Sequence, residues 1–214
     1  MINKLNISSS SVESSTTTST HYQQKYDYLW VLDFEATCWE EYDTREIIEF
    51  PTVIVDIKTR KIIDQFNTFV KPTDYPTLSD FCKKLTSITQ KQVDLGIKLK
   101  EACHKHYDFI QKYKNGVFVT CGNWDLQKML PMDCKRHDLK IPSIYKQWIN
   151  IKTAHKDLYN KPQAGGSMHS MLKFNNLELL GTHHRGIDDC VNIARIGIKM
   201  LEDNWNPVVN GYYN

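Results

Sequence analysis

The sequence has no Cys-x-x-Cys and no cysteine–histidine spacing of the zinc-binding kind; its six cysteines, Cys38, Cys82, Cys103, Cys121, Cys134 and Cys190, are scattered. A zinc finger or ribbon and a small disulfide scaffold are thereby excluded, and free thiols of a reducing compartment are expected. No run of about 18 uncharged apolar residues occurs, so no membrane span and no membrane partner are expected. The N-terminus carries one lysine but no apolar stretch of signal-peptide length. An intracellular protein, cytoplasmic or nuclear, is the expectation. A strong charge of either sign is also missing. The formal net charge is +2, and the pI near 8.1 lies below the value of about 9 that marks a strong electrostatic footprint for nucleic acid.

What is present is enough for one full domain: 214 residues, 41% of them hydrophobic. Residues 7–20 are almost entirely Ser and Thr and hold too little apolar surface to offset the entropy of ordering them. The expected layout is a disordered tail over 1–25, a folded domain over 26–205 and a C-terminal tail over 206–214, in a monomer. Lys98, Lys100, Lys105, Lys112 and Lys114 fall in one helical stretch and Lys135, Arg136 and His137 in another. Both clusters are compatible with a solvated helix face as well as with nucleic acid.

The most informative feature is the run from Val31 to Cys38, where an apolar stretch ends in Asp33 and Glu35. Alternate residues of a strand share a face, so these two carboxylates lie roughly 7 Å apart along the backbone on one side. Crowded buried carboxylates repel, and protonation, hydrogen bonding or a shared divalent cation relieves them. Asp-x-Glu alone is equally met by a strand that runs out into a polar loop with both acids solvated. The choice between these falls to the rest of the chain.

Leu29–Phe34, Glu46–Asp56 and Lys61–Val70 read as strands, with residues 58–60 as a turn, and should form an antiparallel meander. A short helix is expected from the cap Ser79, and Leu99, Cys103, His106, Ile110 and Tyr113 recur at helical spacing. Val117–Cys121 is a further strand, and Gly122-Asn123 a turn and helix cap ahead of Trp124 and Asp125. Asp125 thus stands where a strand passes into a helix, the side of an open α/β sheet on which ligand crevices form. An Asp that complements a helix dipole stands there equally well.

The last helix should run from about Gly186 to Asp203. Ile187, Val191, Ala194, Ile198 and Leu201 make one apolar stripe; Asp188 shares a polar face with Asn192, Arg195 and Lys199. Asp189 aligns with Ile193, Ile196 and Met200 on an apolar flank and is the inward carboxylate. His184 precedes it by five residues, in position to lean over the same site, whereas His183 is expected to be solvent-exposed.

Asp33, Glu35, Asp125, His184 and Asp189 are the parts of a two-metal phosphodiesterase: hard oxygen ligands for Mg²⁺ or Mn²⁺, and an imidazole that takes a proton near neutral pH. In this order they resemble the DEDDh 3′-to-5′ exonucleases of the ribonuclease H-like fold. Asp33-Phe-Glu-Ala-Thr-Cys38, Glu46-Ile-Ile-Glu-Phe-Pro51, Phe81-Cys82, Leu85-Thr86, Gly122-Asn-Trp-Asp125, Gln147-Trp-Ile-Asn150 and Gly186-Ile-Asp-Asp-Cys190 are similar to the Eri-type RNA exonuclease branch over roughly residues 27–203.

The resemblance implies an α/β fold, a mixed sheet of an antiparallel meander followed by parallel strands and flanked by helices. It implies hydrolysis of single-stranded RNA from its 3′ end to nucleoside 5′-monophosphates with two Mg²⁺ ions, for which Mn²⁺ substitutes. Asp33, Glu35, Asp125 and Asp189 would be the metal ligands and His184 the general base. Ala36, Phe81, Leu85, Thr86, Trp124 and His184 would bind substrate, the terminal base between Phe81 and Trp124, which by themselves would serve equally well in a core. No nucleic-acid-binding domain precedes the region and no zinc ribbon follows it in this sequence, so protein or ribonucleoprotein partners are expected to select the RNA. A DNA exonuclease and a non-catalytic RNA-binding scaffold remain as alternatives, because these residues do not read the ribose 2′-hydroxyl and a binding protein could keep the pocket.

Overall fold

The computed structural model describes residues 25–39 and 45–213; almost all of the expected N-terminal tail lies outside them. β1 (Tyr28–Leu32) is followed by a two-residue strand β2 (Glu35–Ala36), and β3 (Ile47–Asp56) and β4 (Lys61–Phe69) complete an antiparallel set. β1 and β2 run along one edge of β3, and β4 lies along the other. Helices α1 (Asp80–Thr86), α2 (Gln90–Asp94) and α3 (Leu99–Ile110) lead to β5 (Gly116–Thr120), which pairs parallel with β1. A π-helical turn over Asp125–Met129 runs into α4 (Leu130–Arg136). Then come β6 (Gln147–Asn150), parallel to β5, α5 (Ile151–Tyr159), α6 (Met168–Phe174) and α7 (Gly186–Glu202). The result is the mixed sheet flanked by helices that the resemblance implied.

Strand alternation divides the core in two. Leu29 and Val31 of β1, Val53 and Val55 of β3 and Val117 and Val119 of β5 pack with Ile193, Ile196 and Met200 of α7. Trp30, Leu32, Ile54, Phe118 and Trp148 point the other way, against Leu99, Ala102 and Ile110 of α3 and Leu130 of α4. Each such side chain contributes roughly 1.5–3 kcal/mol by leaving water. A smaller cluster under α1 and α2 joins Cys38, Ile48, Leu78, Cys82, Ile88 and Val93. Ser79 caps α1 as expected, accepting from the Cys82 N–H.

Three local expectations are corrected. Gly211–Tyr212 form β7, antiparallel to β6, so the region beyond residue 205 adds a sheet edge instead of a loose tail. Gly211 fits there because a Cβ would stand 2.2 Å from the Trp148 indole nitrogen. Asn123 does not cap a helix with its side chain; its Oδ1 accepts from the Trp148 indole N–H at 3.0 Å. In α7 the fully buried face is Asp189, Ile193, Ile196 and Met200, while Ile187, Val191 and Ile198 of the expected main stripe are half-buried. The sheet is the larger apolar surface and takes the first face.

Candidate active site

The site forms where β1 ends and α7 begins. Asp33 leaves the end of β1, and Glu35 opens β2 directly opposite Glu49 of β3. α7 approaches this turn closely because its first residue is glycine: a Cβ on Gly186 would lie 2.8 Å from the Asp33 carbonyl oxygen. The Gly186 N–H donates to Glu49 Oε2 at 3.0 Å, which pins the start of α7 to β3. Asp189, in the first turn of that helix, is thereby turned inward and is 3% exposed.

Carboxylate oxygens of Asp33, Glu35 and Asp189 all lie within 4.8 Å of one another. Asp125 is buried alongside, with Oδ1 accepting from the Phe34 N–H at 2.9 Å, the amide between the first two acids. Burial is the largest cause of the raised pKa of every one of these groups. Burial, then the neighbouring Asp125 and Asp189 charges, hold Asp33 well above the usual carboxylate range although part of its surface faces the cleft. Burial and Asp33 push Glu35 to about 10. Burial lifts Asp125 to about 6 against the Phe34 amide, which favours its charged form, and Asp189 is raised as well. Such a set is short of positive charge, and its all-oxygen donors suit a hard divalent cation.

His183 and His184 form the site's rim, with ring centroids 3.8 Å apart. His184 adopts a left-handed conformation, φ +63°, and its N–H donates to Asp189 Oδ2 at 2.9 Å. Burial and the adjacent His183 keep its pKa below the usual histidine value. His183 departs from expectation: it is half-buried, with Nδ1 3.2 Å from both Asp189 oxygens. Counting five residues back from Asp189 could not show that the preceding ring also folds onto it.

Of the residues expected to bind substrate, Phe81 and Leu85 are 39% and 36% exposed on one face of α1, too open for the core role they could also have filled. Trp124 is half-buried, with the Arg45 guanidinium 5.4 Å over its ring, and Ala36 is buried in β2 beside Glu35. Thr86 is different: it is 1% exposed, and its hydroxyl donates to the Cys82 carbonyl and accepts from the Ile88 N–H, so it closes the end of α1.

Two supporting groups escaped notice in the sequence. Glu49 is fully buried and also accepts from Asn67, with the Arg185 guanidinium 3.6 Å away; a lone acid inside an apolar strand was its signal. Lys152, at the start of α5, places an ammonium charge that favours the ionised forms of Asp33 and Asp125, and nothing in the spacing announces it.

Comparison with known proteins shows what the chain as a whole is similar to. The RNase_T family model, described as Exonuclease, matches residues 30–196. Human 3'-5' exoribonuclease 1 is 38% identical over 195 residues, covering 86% of this chain and 55% of that protein. ERI1 exoribonuclease 2 of Xenopus laevis is 34% identical, covering 92% of this chain and 31% of its own length. The chain therefore spans about a third to a half of the curated relatives it matches. Among solved structures, the nuclease domain of 3'hExo, a DEDDh family member bound to rAMP, superposes with a TM-score of 0.83 at 38% identity, covering 87% of this chain and 98% of that one. A 3'-exonuclease structure described as showing 3'-end specific recognition of histone mRNA stem-loop gives 0.84 at 36% identity, covering 90% and 89%.

Proposed function

The chain belongs to the RNase_T exonuclease family, and from that premise we propose that it hydrolyses single-stranded RNA from the 3′ end, releasing nucleoside 5′-monophosphates. The observation that carries this is the convergence of Asp33, Glu35 and Asp189 within 4.8 Å, with Asp125 buried beside them. The relatives' names as exoribonucleases support RNA over DNA.

Asp33, Glu35 and Asp189 would hold one Mg²⁺ ion; Asp33 would share a second, with Asp125 acting largely through water. Such ions, when bound, supply a more acidic water and charge stabilisation at the leaving 3′-oxygen. The chain's own groups do the rest. His184 accepts the proton of the attacking water; the new P–O bond forms as the P–O3′ bond breaks, and the departing 3′-oxygen takes a proton from solvent, so the shortened RNA leaves with a 3′-hydroxyl. Phe81 and Trp124 hold the terminal base by its faces, a contact of about 1–3 kcal/mol that ignores base identity. Ala36 is small enough for the terminal nucleotide to lie against the strand that carries Glu35.

Purified protein should shorten a 3′-hydroxyl single-stranded RNA in Mg²⁺ and stop in EDTA, and Asp33→Ala should abolish the reaction. Retained activity in that variant would overturn the assignment. Faster cleavage of a matched DNA oligomer would move the substrate to DNA.

A further inference from the structure

Outside the catalytic cleft, Lys156, Lys161 and Lys173 line one open groove of about 870 Å³ together with Gly165, Gly166 and Ser170. No carboxylate lines it, and among the described residues none of the three ammonium groups is paired with an acid. Three uncompensated cations around one concavity repel each other, an arrangement stabilised by a polyanion.

Two helices link the walls of the groove to the catalytic site. Lys152, whose charge acts on Asp33 and Asp125, is one helical turn before Lys156 on α5, and side chains four apart share a helix face. Gly165 lies against both: a Cβ there would come within 2.5 Å of the Lys152 carbonyl oxygen and 2.6 Å of Lys156 Cβ. Glycine at φ +78° lets the 160–167 loop lie flat on α5 and form the groove wall. On the other side α6 carries His169, whose ring is 4.4 Å from that of His183 on the catalytic rim.

We propose that this groove holds the phosphodiester backbone of the RNA upstream of its 3′ end, as a sequence-independent track leading from the catalytic carboxylates along α5 to the 160–167 loop. The proposal rests on the exoribonuclease reading, which supplies a polyanion with one end in the cleft. Pro162, Ala164 and Phe174 add apolar surface to the lining, with Phe174 under the Lys161 ammonium, 5.9 Å away. The three ammonium groups are the contacts that recognise phosphate, and they carry no sequence information.

The test compares wild type with the triple variant Lys156→Ala, Lys161→Ala and Lys173→Ala, and with a triple Lys→Arg control. Steady-state rates are measured in Mg²⁺ on a 20-nucleotide RNA and on a dinucleotide, and binding of the 20-mer in EDTA is followed by fluorescence anisotropy across a salt series. The alanine variant should raise KM for the 20-mer about tenfold near 0.1 M salt and reduce the log–log salt slope by about 2, three phosphates at roughly 0.7 each for single strands. Both constants on the dinucleotide should stay unchanged, and the arginine control should bind like wild type. Equal salt slopes in wild type and the alanine variant, or an equal loss on the dinucleotide, would overturn the track. Wild type that binds RNA with the expected slope but never cleaves it would instead sink the exoribonuclease reading and leave the groove standing.

Discussion

Two groups of acids and imidazoles in this molecule have nearly the same spacing and opposite characters. Asp33, Glu35 and Asp189 bring ligand atoms within 4.8 Å of one another, and so do Glu46, Asp133 and His137. In the second group the oxygens are already satisfied. Glu46 accepts from the Thr73, Asp74 and Tyr75 amides and the Thr73 hydroxyl, and those contacts bring its pKa below the usual value despite burial. Asp133 accepts from the Ile47 N–H and from Arg136, at 2.9 and 2.8 Å. Burial raises Asp133 as it raises Asp189, and each has two donors; the difference lies in Asp33 and Glu35, whose carboxylates no donor reaches among the described residues, leaving lone pairs for a cation. Residue type and spacing are shared; the supply of donors separates a structural joint from a ligand site.

The sharpest way to break this comparison is to neutralise one acid in each group. On the proposed mechanism Asp33→Asn should cost turnover about a thousandfold or more, because Asp33 would be a cation ligand, while the metal-free fold keeps its melting temperature or gains because one repelling carboxylate is gone. Glu46→Ala should do the reverse. It removes the buried carboxylate that holds the amides of residues 73–75, a loss of about 1.5–3 kcal/mol in stability by denaturant titration, since those exposed residues can turn to water, with kcat of the folded fraction near wild type. If Glu46→Ala lost catalysis without losing stability, the division between joint and site would be wrong.

Solution pH sharpens the same contrast with a smaller effect. Glu35 is raised to about 10 by burial and Asp33, so its contribution to stability is complete below its unfolded value near 4.5 and is lost as pH climbs toward 10. In EDTA the melting temperature of wild type should fall relative to Glu35→Gln between pH 5 and pH 8.5, by several degrees, and Mg²⁺ should cancel the fall. Glu46 has the opposite sign: its pKa is lowered, so its contribution is present above about 4.5 and disappears as pH drops. Scanning fluorimetry should show Glu35→Gln gaining on wild type as pH rises from 5 to 8.5, and Glu46→Gln holding a constant deficit there that closes only as pH falls below about 4.5.

How much of this was legible in the sequence follows from how far each contact reaches along the chain. Strand alternation put Asp33 and Glu35 on one face, and helical phase distinguished Asp189 from Asp188; both signals are local. The Phe34 amide meets Asp125 across 91 residues and the Gly186 amide meets Glu49 across 137, and no periodicity carries such pairings. β7 has two residues, too few to show an alternation. Asn123 has the composition of a cap, but a tryptophan 25 residues away takes its oxygen, so tertiary context overrides local preference.

Glu49 is where the comparison can be pressed hardest, since it belongs to neither group and touches the first through both of its halves. It stands opposite Glu35 in the sheet and receives the Gly186 N–H at the head of the helix that carries Asp189. Arg185 approaches it at 3.6 Å while Arg185 Nη1 is buried with no hydrogen-bond partner among the described residues. Glu49→Gln keeps the shape and the Gly186 acceptor but removes the charge that holds Arg185. Divalent affinity by calorimetry should fall about tenfold, the usual scale for groups that orient a metal ligand, and kcat at saturating Mg²⁺ should change much less. Glu46→Gln, with equal charge loss in the satisfied cluster, should leave that affinity untouched; if both variants weaken the cation alike, the effect is overall charge and not the orientation of Glu35 and Asp189.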